Sequence, residues 1–166
     1  MGAIAFNHVS IHADDLEESA QFYEEVFDME RIPSPNFDVD VVWLRCGDAQ
    51  LHLFDRDVDA PASHHFAVTV DDFEAVYEEI ERRGLFDHDG DTSDEPQRMY
   101  ALADGAVQLY VRDPAHNLIE VDWPDVETLE ESIRDAIVDR ADQNPQTGEA
   151  EDATLFMDGR GGYPDP

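Results

Sequence analysis

The sequence predicts an α+β fold assembled from two βαβββ modules, and three observations predict it. The stretch NHVSIHADDL, Asn7 to Leu16, returns as HHFAVTVDDF, His64 to Phe73, at the 57-position offset that separates His8 from His65. Downstream of each copy the order of elements also matches: an amphipathic helical stretch, a short strand and a two-strand hairpin. Finally, 166 residues with 42% hydrophobic content suffice for one domain of two similar halves around a real core.

In the first copy, FNHVSIHA alternates with period two, which puts His8, Ser10 and His12 on one face of a strand and Val9 and Ile11 on the other. DDLEESAQFYEEVFDM offers Asp14 or Asp15 as a helix N-cap, acids in the first turn, and Leu16, Ala20, Tyr23, Val26 and Phe27 at helical spacing. ERIP and the Pro-rich PSPNFD read as a short edge strand and loop. VVWLRC and AQLHLF, separated by Gly47-Asp48, read as a hairpin. In the second copy, HHFAVTV is a strand and DDFEAVYEEIERRG a helix with Phe73, Val76, Tyr77 and Ile80 on one face and Gly84 as its stop. LFDH is a short strand, an acidic loop comes next, and AVQLYV and NLIEV close a hairpin through RDPAHN, where Asp113-Pro114 sets the reversal. Aligning the hairpins puts Trp43-Leu44-Arg45 on Tyr110-Val111-Arg112 and Leu51-His52-Leu53 on Ile119-Glu120-Val121. The offset grows from 57 to the 68 that separates His52 from Glu120, absorbed by a longer excursion around residues 87–104. The modules are residues 1–57 and 62–123 of one domain, 1–123. Residues 124–166 form a C-terminal helix, over VETLEESIRDAIV, and a polar tail in which Leu155-Phe156-Met157 can dock as a strand.

Charge bounds the function. There are 41 acidic residues against 10 basic, every one of them Arg, for a net charge of −31. The acids are spread over helix faces and loops, a solvated surface rather than a binding patch. Such a charge destabilises the compact state at low salt, where the Debye length is about 30 Å at 0.01 M against about 3 Å at 1 M. The composition is therefore one adapted to concentrated salt, and it resembles that of proteins from salt-in halophiles. Nucleic acid is excluded as a partner because no Lys/Arg cluster is present to neutralise phosphates. A membrane span and a secretory leader are not indicated, so a cytoplasmic location is expected. The single cysteine, Cys46, cannot form an internal disulfide and reads as a small buried hydrophobe.

The repeat also pairs chemistry. His8 and His65 begin the first strand of each module; His52 and Glu120 lie on the last. The neighbours of each ligand-type residue are apolar and point the opposite way, toward the helices. A pseudo-twofold relation between modules would bring the four together on the concave face. Three imidazoles and one carboxylate suit one divalent ion, Zn, Ni, Co, Mn or Fe, with one or two positions left for water or substrate. With only 7 His in 166 residues, His at three of four symmetry-related positions carries the assignment. Trp43 and Tyr110 are either core or walls of a substrate pocket. Arg45 and Arg112 can orient an anionic substrate, Arg112 alternatively bracing its turn. His12 lines the cavity or is a satisfied strand-end residue, His64 is structural or exposed, and His88 and His116 sit in loops.

FNHVSIHADDLEESAQFYEEVF, WLRCGDAQLHLF, HHFAVTVDDFEAV and YVRDPAHNLIEV resemble segments of the vicinal oxygen chelate superfamily, which includes glyoxalases, fosfomycin-resistance transferases, bleomycin-binding proteins and extradiol dioxygenases. The resemblance implies metal ligands at His8, His52, His65 and Glu120, and a site that holds two neighbouring substrate oxygens and stabilises an enolate. The fold then expected is an incomplete barrel of eight strands. The function expected is that of a metal-dependent lyase or isomerase of glyoxalase type, with Glu120, or His52 if it detaches, as base and Tyr110 and Arg112 positioning a small substrate. A homodimer is expected. Glyoxalases usually carry Glu or Gln where His52 stands, and a glutathione site would want more cations than this chain offers. For an extradiol dioxygenase, the alternative reading, His8, His65 and Glu120 match the two-His, one-carboxylate triad. However, His116 replaces that signature's Gly, and MYALADGAVQ lacks its His. A metal-free drug-sequestering module is the non-enzyme alternative; its mark, loss of these ligand types, is not seen.

Overall fold

The computed structural model describes residues 2, 3, 5–87, 99–139 and 145–156. The expectations for His88, for Met157 and for residues 140–144 and 158–166 fall outside these residues. The chain divides into two compact units, Met1–Phe66 with Arg112–Leu118, and Ala67–Val111 with Ile119–Pro166.

In the first unit, strand β1 (His8–Ala13) leads into helix α1 (Leu16–Phe27), and then come β2 (Glu30–Ile32), β3 (Val41–Cys46) and β4 (Ala49–Asp55). The strands form an open sheet in the order β1-β4-β3-β2, with β1 parallel to β4 and the other pairs antiparallel. Asp15 caps α1 by accepting from the backbone N–H groups of Glu17 and Glu18 at 2.9 and 3.0 Å, which satisfies two of the helix's orphan donors. The β3–β4 turn is the predicted two-residue one: Cys46 pairs with Ala49, and Gly47 takes the left-handed φ of 54° that such a turn requires. Helix α1 packs on β2, β3 and β4. From the sheet the buried residues are the ones alternation selects, Leu44, Leu51 and Leu53; from the helix Ala20, Tyr23 and Val26 of the expected face are buried, joined by Phe22, while Leu16 and Phe27 are only half-buried. Each large side chain removed from water here contributes on the order of 1.5–3 kcal/mol before entropy is counted.

The second unit repeats the order as β5 (His65–Thr69), α2 (Phe73–Arg83), β6 (Met99–Ala101), β7 (Val107–Arg112) and β8 (Leu118–Trp123), the first two residues of β5 and the ends of β7 and β8 belonging to the first unit. The sheet runs β5-β8-β7-β6-β9, where β9 is Ile137–Asp139. Asp72 caps α2 through the N–H of Ala75, and Gly84 ends it at φ 68°. The expected short strand at LFDH is a single bridge, Phe86 opposite Val111, and the same antiparallel edge resumes at Met99 opposite Leu109. Between these two pairings lie residues 88–98, outside the described residues, the interval of sequence in which the growth in offset falls.

The C-terminal helical stretch is shorter than its periodicity suggested. Val126–Thr128 is a 3-10 turn, α3 is only Glu131–Arg134, and Ile137–Asp139 pairs in parallel with β6. The break has a cause: Leu129 is extended, and the Glu130 N–H donates to the Glu74 carboxylate at 2.7 Å instead of to a carbonyl of a preceding turn. No strand forms over Thr154–Phe156; a 3-10 turn, Gly148–Asp152, precedes it. Among the described residues no helix is long and apolar enough to cross a membrane.

Candidate metal and substrate site

Register decides which side chains of the first unit meet. Two rows cross the sheet on the face away from α1: His8, Gln50 and Arg45, then Ser10, His52 and Trp43. The His8 and His52 rings stack with centroids 4.5 Å apart and planes 15° from parallel. The Trp43 indole stacks on His52 at 4.0 Å and 3°. His8 is exposed, whereas His52 is buried.

Two amides orient these rings. His8 Nδ1 donates to Asn7 Oδ1 at 2.5 Å, and His52 Nε2 donates to Gln50 Oε1 at 2.8 Å. An amide oxygen only accepts, so the bonded nitrogen of each ring carries a proton, and Nε2 of His8 and Nδ1 of His52 are the nitrogens that would face a metal. Burial first, and the neighbouring His8 second, push the His52 imidazole below its ordinary pKa, which keeps it neutral. Neutral imidazoles with fixed tautomers are the form in which histidine binds divalent transition ions. The donor chemistry of this pair therefore fits such an ion. The rings border a cavity of about 420 Å³ that Phe37 and Phe54 also line, and the Trp43 Nε1 beside it is buried without a hydrogen-bond partner among the described residues.

His65 lies at the start of β5, exposed, with Nδ1 donating to the Ser63 carbonyl at 3.3 Å. It lines a second cavity, of about 580 Å³, together with Ile11, His12, Arg56 and His64, and the two cavities share Ser10 and Phe54. In the second unit, the buried Glu120 carboxylate accepts a short hydrogen bond from the Tyr110 hydroxyl, which in turn accepts from Gln108 Nε2 at 2.9 Å. Asp122, two residues on, is also buried, with Oδ1 unpartnered among the described residues. Burial, then the charge of Glu120, holds its carboxyl above the usual range, and a protonated carboxyl tolerates a bare oxygen better than a carboxylate does.

The structure thus brings His8 to His52 in one unit and Tyr110 to Glu120 in the other. Among the described residues no three His, Cys, Asp or Glu side chains are grouped as a metal would need. Arg45 pairs with its cross-strand neighbour Glu30 at 3.7 Å. Arg112 donates to the carbonyls of Ala62 and His116 at 2.8 and 2.9 Å, bracing a turn in which His116 sits at φ 63°. Sequence reading overlooked Asn7 and Gln50, although a carboxamide one or two positions before a ligand-type His was visible. It also passed over Arg56, which continues the even-numbered face of Gln50, His52 and Phe54.

A family model for the glyoxalase/bleomycin resistance protein/dioxygenase superfamily matches residues 5–121. Among solved structures, similarity extends to a lactoylglutathione lyase from Agrobacterium tumefaciens, at 26% identity over 73% of this chain and 94% of that one, with a TM-score of 0.52. It extends also to a glyoxalase family protein from Bacillus anthracis, at 24% identity over 74% and 96%, with a TM-score of 0.56. The fosfomycin resistance protein FosX from Mesorhizobium loti matches at 18% over 81% and 99%, with a TM-score of 0.54. No curated protein matches the sequence.

Proposed function

Because the chain belongs to the glyoxalase/bleomycin resistance protein/dioxygenase superfamily, we propose that it is a metal-dependent lyase or isomerase of glyoxalase type that acts on a small substrate with vicinal oxygens. The observation that carries this reading is the His8–His52 pair, stacked and oriented by hydrogen bonds to Asn7 and Gln50. His8, His52, His65 and Glu120 are the proposed ligands of one divalent ion, whose contribution is Lewis acidity toward the substrate oxygens. Glu120 is the proposed base that takes the proton from the carbon next to the carbonyl, with the Tyr110 hydroxyl orienting its carboxylate. Trp43 fixes the His52 ring and walls the cavity, while Arg45 and Arg112 supply positive charge to the surrounding surface. The proposed setting is the cytoplasm of a salt-accumulating cell, with the chain as a homodimer.

The test begins with metal. Protein purified without chelator at molar salt should carry about one equivalent of a divalent ion, and His8→Ala, His52→Ala and His65→Ala should each lose most of it; equal content in all four would remove the site. Activity comes second: turnover of a 2-oxoaldehyde hemithioacetal is expected, and Fe(II)-dependent oxygen uptake with catechol would replace the lyase reading with ring cleavage. That second reading is favoured by the aromatic wall of Phe37, Trp43 and Phe54. Tight binding of an aromatic ligand by metal-free protein inert toward both would favour a binding module instead.

A further inference from the structure

We infer that Arg56 anchors the anionic end of the ligand, so that the substrate class is a small carboxylate whose apolar body crosses Phe54. The inference rests on the proposed function only for the oxygen-chelating end. Its ground is an imbalance. In a chain of 41 acids and 10 arginines, a guanidinium should find a carboxylate. Among the described arginines, Arg31 pairs with Glu17 and Glu24, Arg45 with Glu30, Arg82 and Arg83 with Glu79, and Arg134 with Glu127. Arg112 is held by two carbonyls. Arg56, although flanked in sequence by Asp55 and Asp57, makes no ion pair or hydrogen bond through its guanidinium among the described residues; its one contact there is the Phe54 ring, 5.3 Å from Cζ to centroid.

Placement gives that charge a use. The Arg56 N–H donates to the Ala13 carbonyl at 3.4 Å, so the backbone still tracks β1 one residue past the end of β4. The side chain therefore continues the row His52, Phe54 and lines the 580 Å³ cavity beside His65, with Ile11, Phe54 and Phe66 among its apolar walls and Asp59 also on its lining, without an ion pair to Arg56 among the described residues. Phe54 also lines the 420 Å³ cavity of His8 and His52. A ligand lying over this one ring has oxygens at the histidines and a carboxylate at the guanidinium, whose planar fork matches carboxylate geometry and takes no proton from it. A neutral ligand would gain no charge-assisted contact from the guanidinium.

The probe is 3-phenylpropionate against 3-phenylpropanamide, titrated at one fixed potassium chloride concentration into ¹⁵N-labelled metal-free protein, with the Arg Nε–Hε resonances observed. The carboxylate should bind about tenfold more tightly than the amide, the scale of one charge-assisted contact, and shift the Arg56 signal. In Arg56→Gln that preference should vanish while amide affinity is unchanged. Equal affinities in the wild type, or a preference surviving in Arg56→Gln, would overturn the assignment. Repeating the titration anaerobically with zinc and 3-(3,4-dihydroxyphenyl)propionate separates the two readings. If zinc adds nothing to the catechol's affinity while the carboxylate preference persists, chelation fails and the Arg56 anchor stands.

Discussion

Tyr23 is wholly buried, and its hydroxyl donates to Asp113 Oδ2 at 2.8 Å across 90 residues of sequence. Asn117 supplies two more donors to the same carboxylate, its Nδ2 to Oδ2 at 2.8 Å and its backbone N–H to Oδ1 at 2.7 Å, and Nδ2 also reaches the His12 carbonyl at 2.9 Å. This network ties the Arg112–Leu118 turn to α1 and β1. Tyr23→Phe keeps the ring and removes one charge-assisted hydrogen bond, a loss of about 2 kcal/mol. Asp113→Ala removes the acceptor that these donors share with the Ala115 N–H and strands the Tyr23 hydroxyl and the Asn117 amides in a dry site, a loss of about 3–5 kcal/mol. Burial also pushes the Asp113 carboxyl above its ordinary 3.8, against the donors that lower it. A raised folded-state value means the native state keeps the proton longer than the unfolded chain. This share of stability is then full below pH about 4 and is lost as pH rises through the raised value; Asp113→Asn should flatten that limb. The assay is urea unfolding at about 2 M KCl in a Trp123→Phe background, in which Trp43, in the same unit, is the sole tryptophan. An unshifted midpoint for Tyr23→Phe, or Asp113→Ala no costlier than Tyr23→Phe, would refute the reasoning.

Salt should stabilise the wild type strongly: dilution from about 2 M to 0.1 M KCl lengthens the Debye length to about 10 Å and lets the −31 charge repel itself, lowering the melting temperature seen by circular dichroism. His116 holds a left-handed φ of 63° without being glycine, so His116→Gly should raise stability by up to about 1 kcal/mol in chemical unfolding; a loss would show that its side chain supports the turn. Glu79, held down to about 2 by Arg82 first and Arg83 second, contributes a share of stability present above pH 4.5 and lost as pH falls through 2. Glu79→Gln should flatten the acid limb of a melting-temperature profile, and an unchanged limb would rule this pair out as its source.

What was legible in the sequence was whatever depends on local period and turn chemistry. Alternation in β1 and β4 put His8 and His52 on the face opposite their apolar neighbours, Gly47-Asp48 marked the turn between β3 and β4, the α1 cap was read from Asp14 or Asp15, and the α2 stop from Gly84. What was hidden depends on contacts far apart in the chain. Nothing in VETLEESIRDAIV reveals that Glu74 waits to take the Glu130 N–H, or that β-branched Ile137 and Val138 have a free edge at β6 to pair with. Met99–Ala101 read as loop because its strand-mate Phe86 lies across residues 88–98. At the site, an Arg between two Asp residues looks self-neutralised; only the fold shows the guanidinium over Phe54.

The match to the superfamily ends at residue 121, yet the sheet of the second unit does not end with it. Strand β9, at Ile137–Asp139, runs alongside Met99–Ala101 and occupies the hydrogen-bonding groups that β6 would otherwise present at the rim. A bare rim of this kind is a template for another chain to add itself, the first step toward insoluble aggregates. Trimming the protein to its recognisable region would therefore keep His8, His52, His65 and Glu120 and discard its guard rail. The segment past the family boundary belongs to the protein's colloidal behaviour, and expression designs meant to preserve that behaviour have to run at least through Asp139.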